Sequence, residues 1–175
     1  MAAARLVRQA LADLGLEGVV KTSGAKGVHV FVPIEAAPLD ETAAATRAIA
    51  ERAAALDAVL ATTEFMKEDR GGKVFVDATR VGGSTVIAAF SPRVRPGGPV
   101  SFPLPWDALD NVAPGDFTIL NALDQLDRLG PWTADIAAAQ ALPADLVAEG
   151  REIAPGRVQA MHEGKRRKRA AKDDD

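Results

Sequence analysis

Two short runs rich in β-branched residues, separated by five residues, stand near the N-terminus: Val19-Val20-Lys21-Thr22, then Val28-His29-Val30-Phe31-Val32-Pro33-Ile34. Between them lies Ser23-Gly24-Ala25-Lys26-Gly27, whose two glycines accept positive φ at no steric cost. Strands joined by a short Gly-containing loop read as an antiparallel hairpin. The pleat then divides the second strand. Val28, Val30, Val32 and Ile34 share one face, and His29 and Phe31 share the other. A sheet covered by helices on its aliphatic side and working on the other side has this pattern.

The rest of the chain supplies helices and further strands. Leu6, Val7, Ala10, Leu11 and Leu14 give helical spacing over residues 3–14, with Gly15 as the stop. Asp40 is expected to cap a helix over 41–60, with Ala45, Ile49, Ala53, Leu56 and Leu60 along one side. Residues 62–72 are polar and end in Gly71-Gly72. Residues 73–77 read as a strand with Val74 and Val76 on its aliphatic face and Phe75 and Asp77 on the other. A turn at 82–84, a strand over 85–90, a proline-rich loop, a short helix at 106–109 and a strand at 117–120 follow. Beyond about residue 135 comes a short Ala-rich helix and then a tail. The fold class is therefore α+β.

Composition narrows the chemistry. Among 175 residues there is no Cys, so disulfides and thiol nucleophiles are excluded. His29 and His162 are the only histidines, too few for a multi-His metal site. No apolar run approaches the roughly 18 residues of a membrane span, and the N-terminus does not read as a secretory signal; a cytoplasmic protein without a membrane partner is expected. The net charge of −3 is uneven. Residues 65–100 carry Lys67, Arg70, Lys73, Arg80, Arg93 and Arg95 against Glu68, Asp69 and Asp77. An anionic ligand is expected there before elsewhere in the body. The tail at 165–175, Lys-Arg-Arg-Lys-Arg-Ala-Ala-Lys-Asp-Asp-Asp, is either a disordered solvated end or an electrostatic contact for nucleic acid.

Three groups of residues have chemical potential. In the hairpin loop, backbone N–H groups, the Ser23 hydroxyl, the Lys26 ammonium and the His29 imidazole can converge on phosphate oxygens; a plain turn with a solvated Lys is the alternative. Asp77 is a candidate hard-metal ligand or a strand-end carboxylate facing water. Arg93 and Arg95, followed by Pro96-Gly97-Gly98-Pro99, either grip phosphate or form a charged loop.

The string Val20-Lys21-Thr22-Ser23-Gly24-Ala25-Lys26-Gly27-Val28-His29-Val30-Phe31-Val32-Pro33 resembles the nucleotide-binding motif in the polymerase domain of bacterial ligase D, a member of the archaeo-eukaryotic primase superfamily. The resemblance continues through Thr62-Thr63-Glu64, Lys67, Asp69 to Asp77, Phe90 to Val100, Trp106 to Leu109 and Phe117-Thr118, in order and spacing from about residue 5 to residue 133. It implies a DNA repair domain that transfers nucleotides to DNA ends in non-homologous end joining. Nucleoside triphosphates and Mn²⁺ or Mg²⁺ would serve it, with ligase and Ku-type repair proteins as partners, at the bacterial nucleoid. It implies Ser23, Lys26 and His29 as triphosphate ligands, Arg93 (Arg95 second) as a nucleotide contact, and Asp77 as the third catalytic metal carboxylate.

The same resemblance carries departures. The family's Asp-x-Asp pair precedes the helix corresponding to residues 3–14, so the chain is expected to be N-terminally truncated, to lack two of three metal carboxylates and to be inactive alone. The alternative is a non-catalytic remnant that binds nucleotide or DNA ends as a repair accessory. Ala78 and Val81 replace the Trp and Asn usual after the third Asp, and Ala89-Phe90 stand at a common Pro-Tyr. The implied fold is the C-terminal part of a primase-polymerase domain, a split β-α-β antiparallel sheet of order 4-1-3-2 missing its first strand, with helices on one face. Strands 28–34 and 73–77 would then flank a gap, or close it as a parallel pair. The expected organisation is a partial polymerase domain over 1–135, an Ala-rich extension over 136–164 and the tail over 165–175.

Overall fold

In the computed structural model, residues 1–81, 86–129 and 136–156 are described. The turn at 82–84, the start of the strand expected at 85–90 and the tail at 165–175 lie outside them. In chain order the helices are α1 (Ala2–Ala12), α2 (Leu39–Leu56), α3 (Ala122–Leu129) and α4 (Ala144–Glu152). The strands are β1 (Val19–Thr22), β2 (Val28–Phe31), β3 (Ala61–Thr62), β4 (Val74–Phe75) and β5 (Pro103–Leu104). Short 3-10 turns occupy Lys67–Arg70 and Ala108–Asn111, the second overlapping the helix expected at 106–109 and shifted from it by two residues. The chain divides into two compact units, residues 1–33 with 86–140 and residues 34–85 with 141–175. None of the helices is long and apolar enough to cross a membrane, among the described residues.

The first unit is built on the expected hairpin. β1 and β2 pair antiparallel with Thr22 opposite Val28, Lys21 opposite His29, Val20 opposite Val30 and Val19 opposite Phe31. Gly15 takes φ +68 just past the end of α1, the left-handed geometry expected of a helix stop. Val20 is fully buried in a cluster with Ala4 of α1, Val100, Phe102, Leu104, Leu109 and Phe117, and Val28 and Val30 pack against it. The aliphatic face thus meets α1, as the alternation requires. At Gly18 a side chain would stand 3.2 Å from Leu11 and 3.3 Å from Val30, so the close approach of helix and strand depends on glycine. Across the same unit Arg5 grips Asp110 at 2.7 Å, and the Trp106 indole donates to the Gly18 carbonyl at 2.6 Å.

Several expectations are corrected here. On the expected sheet order β1 is an edge strand; instead it is central, because β5 pairs with its other side in the order β2-β1-β5. β5 lies inside the segment read as a proline-rich loop. Residues 86–90 do not form a strand: Phe90 takes φ +62 and turns the chain, and its N–H donates to the Ser101 carbonyl at 2.7 Å. The strand expected at 117–120 reduces to one bridge between Thr118 and Pro99, after which Asn121 accepts the Thr118 N–H at 2.7 Å and α3 begins. That helix has no counterpart in the sequence reading.

The second unit joins α2 to α4 and carries a two-stranded parallel pair of β3 and β4. Asp40 does not cap α2. Pro38 holds that position, and Asp40 sits in the first turn, where a carboxylate favours the helix dipole. The buried residues are Ala43, Ala44, Ala45, Ala48, Ala50, Ala53 and Ala54 with Arg47, so the expected Ala45 and Ala53 are buried, whereas Leu56 is exposed and Leu60 lies beyond the helix. Small side chains on α2 admit α4 so closely that Arg47 Nε donates to the Gly150 carbonyl at 3.1 Å. Leu146 and Val147 fill the contact from α4, and Arg52 binds both carboxylate oxygens of Glu149. The partner of β4 is β3, not the 28–34 strand, and Val74 is exposed rather than packed. Phe75 instead meets Phe65 edge-on and lies under the Arg70 guanidinium, 4.1 Å from the ring centre.

Candidate functional site

The hairpin loop is held by its own serine. Ser23 Oγ accepts the N–H groups of Ala25 and Gly27 at 3.2 and 3.3 Å, and the Ser23 N–H donates to the Gly27 carbonyl at 2.9 Å. Two of the turn's N–H groups are therefore spent on shaping it, and the Ser23 hydroxyl hydrogen remains as its donor. Gly24 is buried at φ +62, and a methyl there would stand 2.7 Å from Cγ of Arg93 and 3.1 Å from the backbone at Val100 and Ser101. This glycine brings the loop onto the 93–101 segment. A cavity of about 270 Å³ opens beside it, lined by Gly24, Ala25, Lys26, Arg95, Pro99 and Thr118 among others.

Five of the residues singled out from sequence, Ser23, Lys26, His29, Arg93 and Arg95, thus fall in one unit. Lys26 and Arg95 line the cavity, Ser23 shapes its loop, and Arg93 lies beneath Gly24. The Arg93 loop is itself closed: its N–H donates to Pro99 at 2.8 Å, and the Gly98 N–H donates to Arg95 at 3.0 Å.

His29 projects from β2 on the face away from α1, edge-on to Phe31 at 6.3 Å. Opposite it on β1 is Lys21, which the sequence reading did not select. Lys21 is 1% exposed. Its Nζ lies 3.1 Å from His29 Nδ1, 2.5 Å from Ser101 Oγ and 5.6 Å from the centre of the Phe31 ring. Burial, and secondarily the charge of Arg93, push the Lys21 ammonium down to about 8.

The shift makes stability depend on pH. The unfolded lysine keeps its proton up to its ordinary value of 10.5, while the folded one releases it near 8. Between those values the unfolded chain binds more protons, so stability rises with pH, by at most about 1.4 kcal/mol per pH unit. No Tyr or Cys ionises in that window. Denaturant melts across it are expected to show midpoints increasing with pH; a flat series argues against a buried charged Lys21.

Asp77 belongs to the second unit, as do its contacts. One carboxylate oxygen accepts the Thr79 N–H at 2.9 Å and the Thr79 hydroxyl at 2.5 Å; the other meets Arg80 Nε at 2.8 Å. Among the described residues no three acidic or histidine side chains gather as a metal-binding group. A single carboxylate engaged by a guanidinium does not fit a two-metal centre, which needs several free carboxylate oxygens.

Comparison with known proteins supplies the context. Residues 1–132 match the family model of the LigD primase-polymerase domain. The chain is 37% identical over 130 residues to the multifunctional non-homologous end joining DNA repair protein LigD of Mycobacterium tuberculosis, covering 73% of this chain and 17% of that one. It is 38% identical over 133 residues to the LigD of Pseudomonas aeruginosa, covering 73% and 16%. Against the solved polymerase domain of Mycobacterium tuberculosis ligase D in complex with DNA, it superposes with a TM-score of 0.65 at 34% identity, over 78% of this chain and 50% of that one. The chain therefore spans about a sixth of the length of the curated relatives it matches.

Proposed function

This chain belongs to the LigD primase-polymerase domain family, and on that footing we infer that its hairpin loop binds the triphosphate of a nucleotide in the service of DNA end repair. The family's curated members are non-homologous end joining proteins. The observation that carries the reading is the packing of Gly24 on Arg93, which gathers Ser23, Lys26, Arg93 and Arg95 in one place. Lys26 and Arg95 are exposed charges at a concave surface, the arrangement a polyphosphate needs. The aliphatic stem of Arg93 runs beneath Gly24, and on this reading its guanidinium joins the same anion site. His29, on the adjacent strand, adds a ring N–H donor.

The family implies use of a divalent metal; the resemblance suggests Mn²⁺ or Mg²⁺ and gives Asp77 the role of third metal carboxylate. With Thr79 and Arg80 on that carboxylate, no catalytic step is assigned to it. Nucleotide and DNA-end binding is the activity these residues support best. Nucleoside triphosphate is the small ligand, and ligase and Ku-type repair proteins are the partners the reading implies.

Calorimetry of the chain with ATP and MnCl₂ tests this. Lys26→Ala and His29→Ala are each expected to weaken binding about tenfold, the effect of one lost charge-assisted hydrogen bond. Binding that is undetectable in the wild type, or unaffected by both substitutions, defeats the reading.

A further inference from the structure

Lys21 sits at the centre of a buried polar group outside the residues assigned to the triphosphate. Ser101 Oγ donates to the Thr22 carbonyl at 2.9 Å, so the hydrogen bond it shares with Lys21 must be one in which its oxygen accepts. An ammonium has three donors and no lone pair. It therefore contacts His29 Nδ1 only as a donor, and an Nδ1 that accepts carries no hydrogen. The third direction of the ammonium is taken up by the face of Phe31.

We propose that Lys21 is a positioning residue: it holds His29 Nδ1 as a hydrogen-bond acceptor, places the neutral ring's proton on Nε2, and so sets Nε2–H as the donor that His29 offers a phosphate oxygen. The register supports this, since Lys21 and His29 are opposite partners on one face of the β1–β2 ladder. Ser101 fixes the ammonium from the far side at 2.5 Å, so the ring is oriented through a charge that is itself anchored. The consequence for a ligand rests on the nucleotide-site reading above; the tautomer does not.

The test uses the full chain with ring-¹⁵N histidine and His162→Gln to leave one signal, at neutral pH and without nucleotide. The expected spectrum is a single Nε2–H tautomer, with Nδ1 shifted as a hydrogen-bond acceptor. In Lys21→Met the ring shifts are expected to average between the two tautomers, and ATP affinity with MnCl₂ to fall about tenfold. Lys21→Arg, which retains the donor, should restore both. A wild-type ring protonated on Nδ1, or ring shifts unmoved by Lys21→Met, overturns the proposal. Should Lys21→Met fail to fold, the wild-type spectrum decides alone. If Lys26→Ala and His29→Ala both leave ATP binding intact while the tautomer result holds, the nucleotide reading fails and the positioning role stands.

Discussion

Phe102→Ala is expected to cost the first unit about 3–5 kcal/mol, as large-to-small changes at a fully packed aromatic do. Phe102 is 1% exposed and stacks on Phe117 with ring centres 4.6 Å apart and planes 5° from parallel. Phe90 meets it edge-on at 5.5 Å. Its backbone also closes the sheet: the Phe102 N–H donates to Thr22 Oγ1 at 2.8 Å, and its carbonyl accepts the Thr22 N–H at 2.8 Å. Alanine keeps those backbone bonds and leaves a ring-sized void between Val20, Leu104 and Phe117. Phe90→Ala provides the contrast, because Phe90 is 45% exposed and should lose only a fraction as much. Equilibrium denaturation of both variants checks this. Equal midpoints for Phe102→Ala and wild type would show that the stack is not the core of this unit.

The hairpin was legible because its information is local. Alternating valines fix the pleat, and the five-residue loop fixes the register, so Lys21 opposite His29 follows by counting from Thr22 opposite Val28. A lysine inside an otherwise apolar strand was thus a signal available in the sequence. What made it a buried, anchored charge was not: Ser101 arrives from 80 positions away. β5 was hidden for a related reason. Pro103 gives no N–H to a ladder, and prolines on both sides mask a two-residue strand that exists because β1 offers it an edge.

Site residues split along the same line. Ser23 and Lys26 were legible as parts of one loop, although the loop uses Ser23 Oγ to accept its own N–H groups. Arg93 could be named by resemblance, while its place under Gly24 depends on a left-handed glycine packed against distant backbone. Asp77 was read from strand parity as a displayed carboxylate. The turn that follows engages it instead, through Thr79 and Arg80, and those side-chain contacts leave no trace in a two-residue periodicity. The exposed Val74 shows the limit of parity in a strand only two residues long, where the neighbour that would cover a face is set by the fold.

Gly150→Ala gives the sharpest test of the second unit, because two principles disagree on its sign. Within an isolated helix the change stabilises by about 1 kcal/mol, since glycine loses more backbone entropy on folding. Here a Cβ at position 150 would lie 1.9 Å from the Ala44 carbonyl oxygen and 2.3 Å from its carbon. Those atoms are main chain in the middle of α2, and no rotamer can move them. The helices must separate instead, opening the contact at Leu146, which is fully buried, and at Val147, and drawing Arg47 from the Gly150 carbonyl. Packing should win, with a net loss of about 3 kcal/mol. Glu149→Ala, one residue earlier, removes a half-exposed ion pair with Arg52 and should cost about 1 kcal/mol or less. Amide exchange in α2 and α4 reads both effects: protection should collapse in Gly150→Ala and persist in Glu149→Ala. A Gly150→Ala chain that melts above wild type would mean that α2 and α4 are not seated on each other at Ala44.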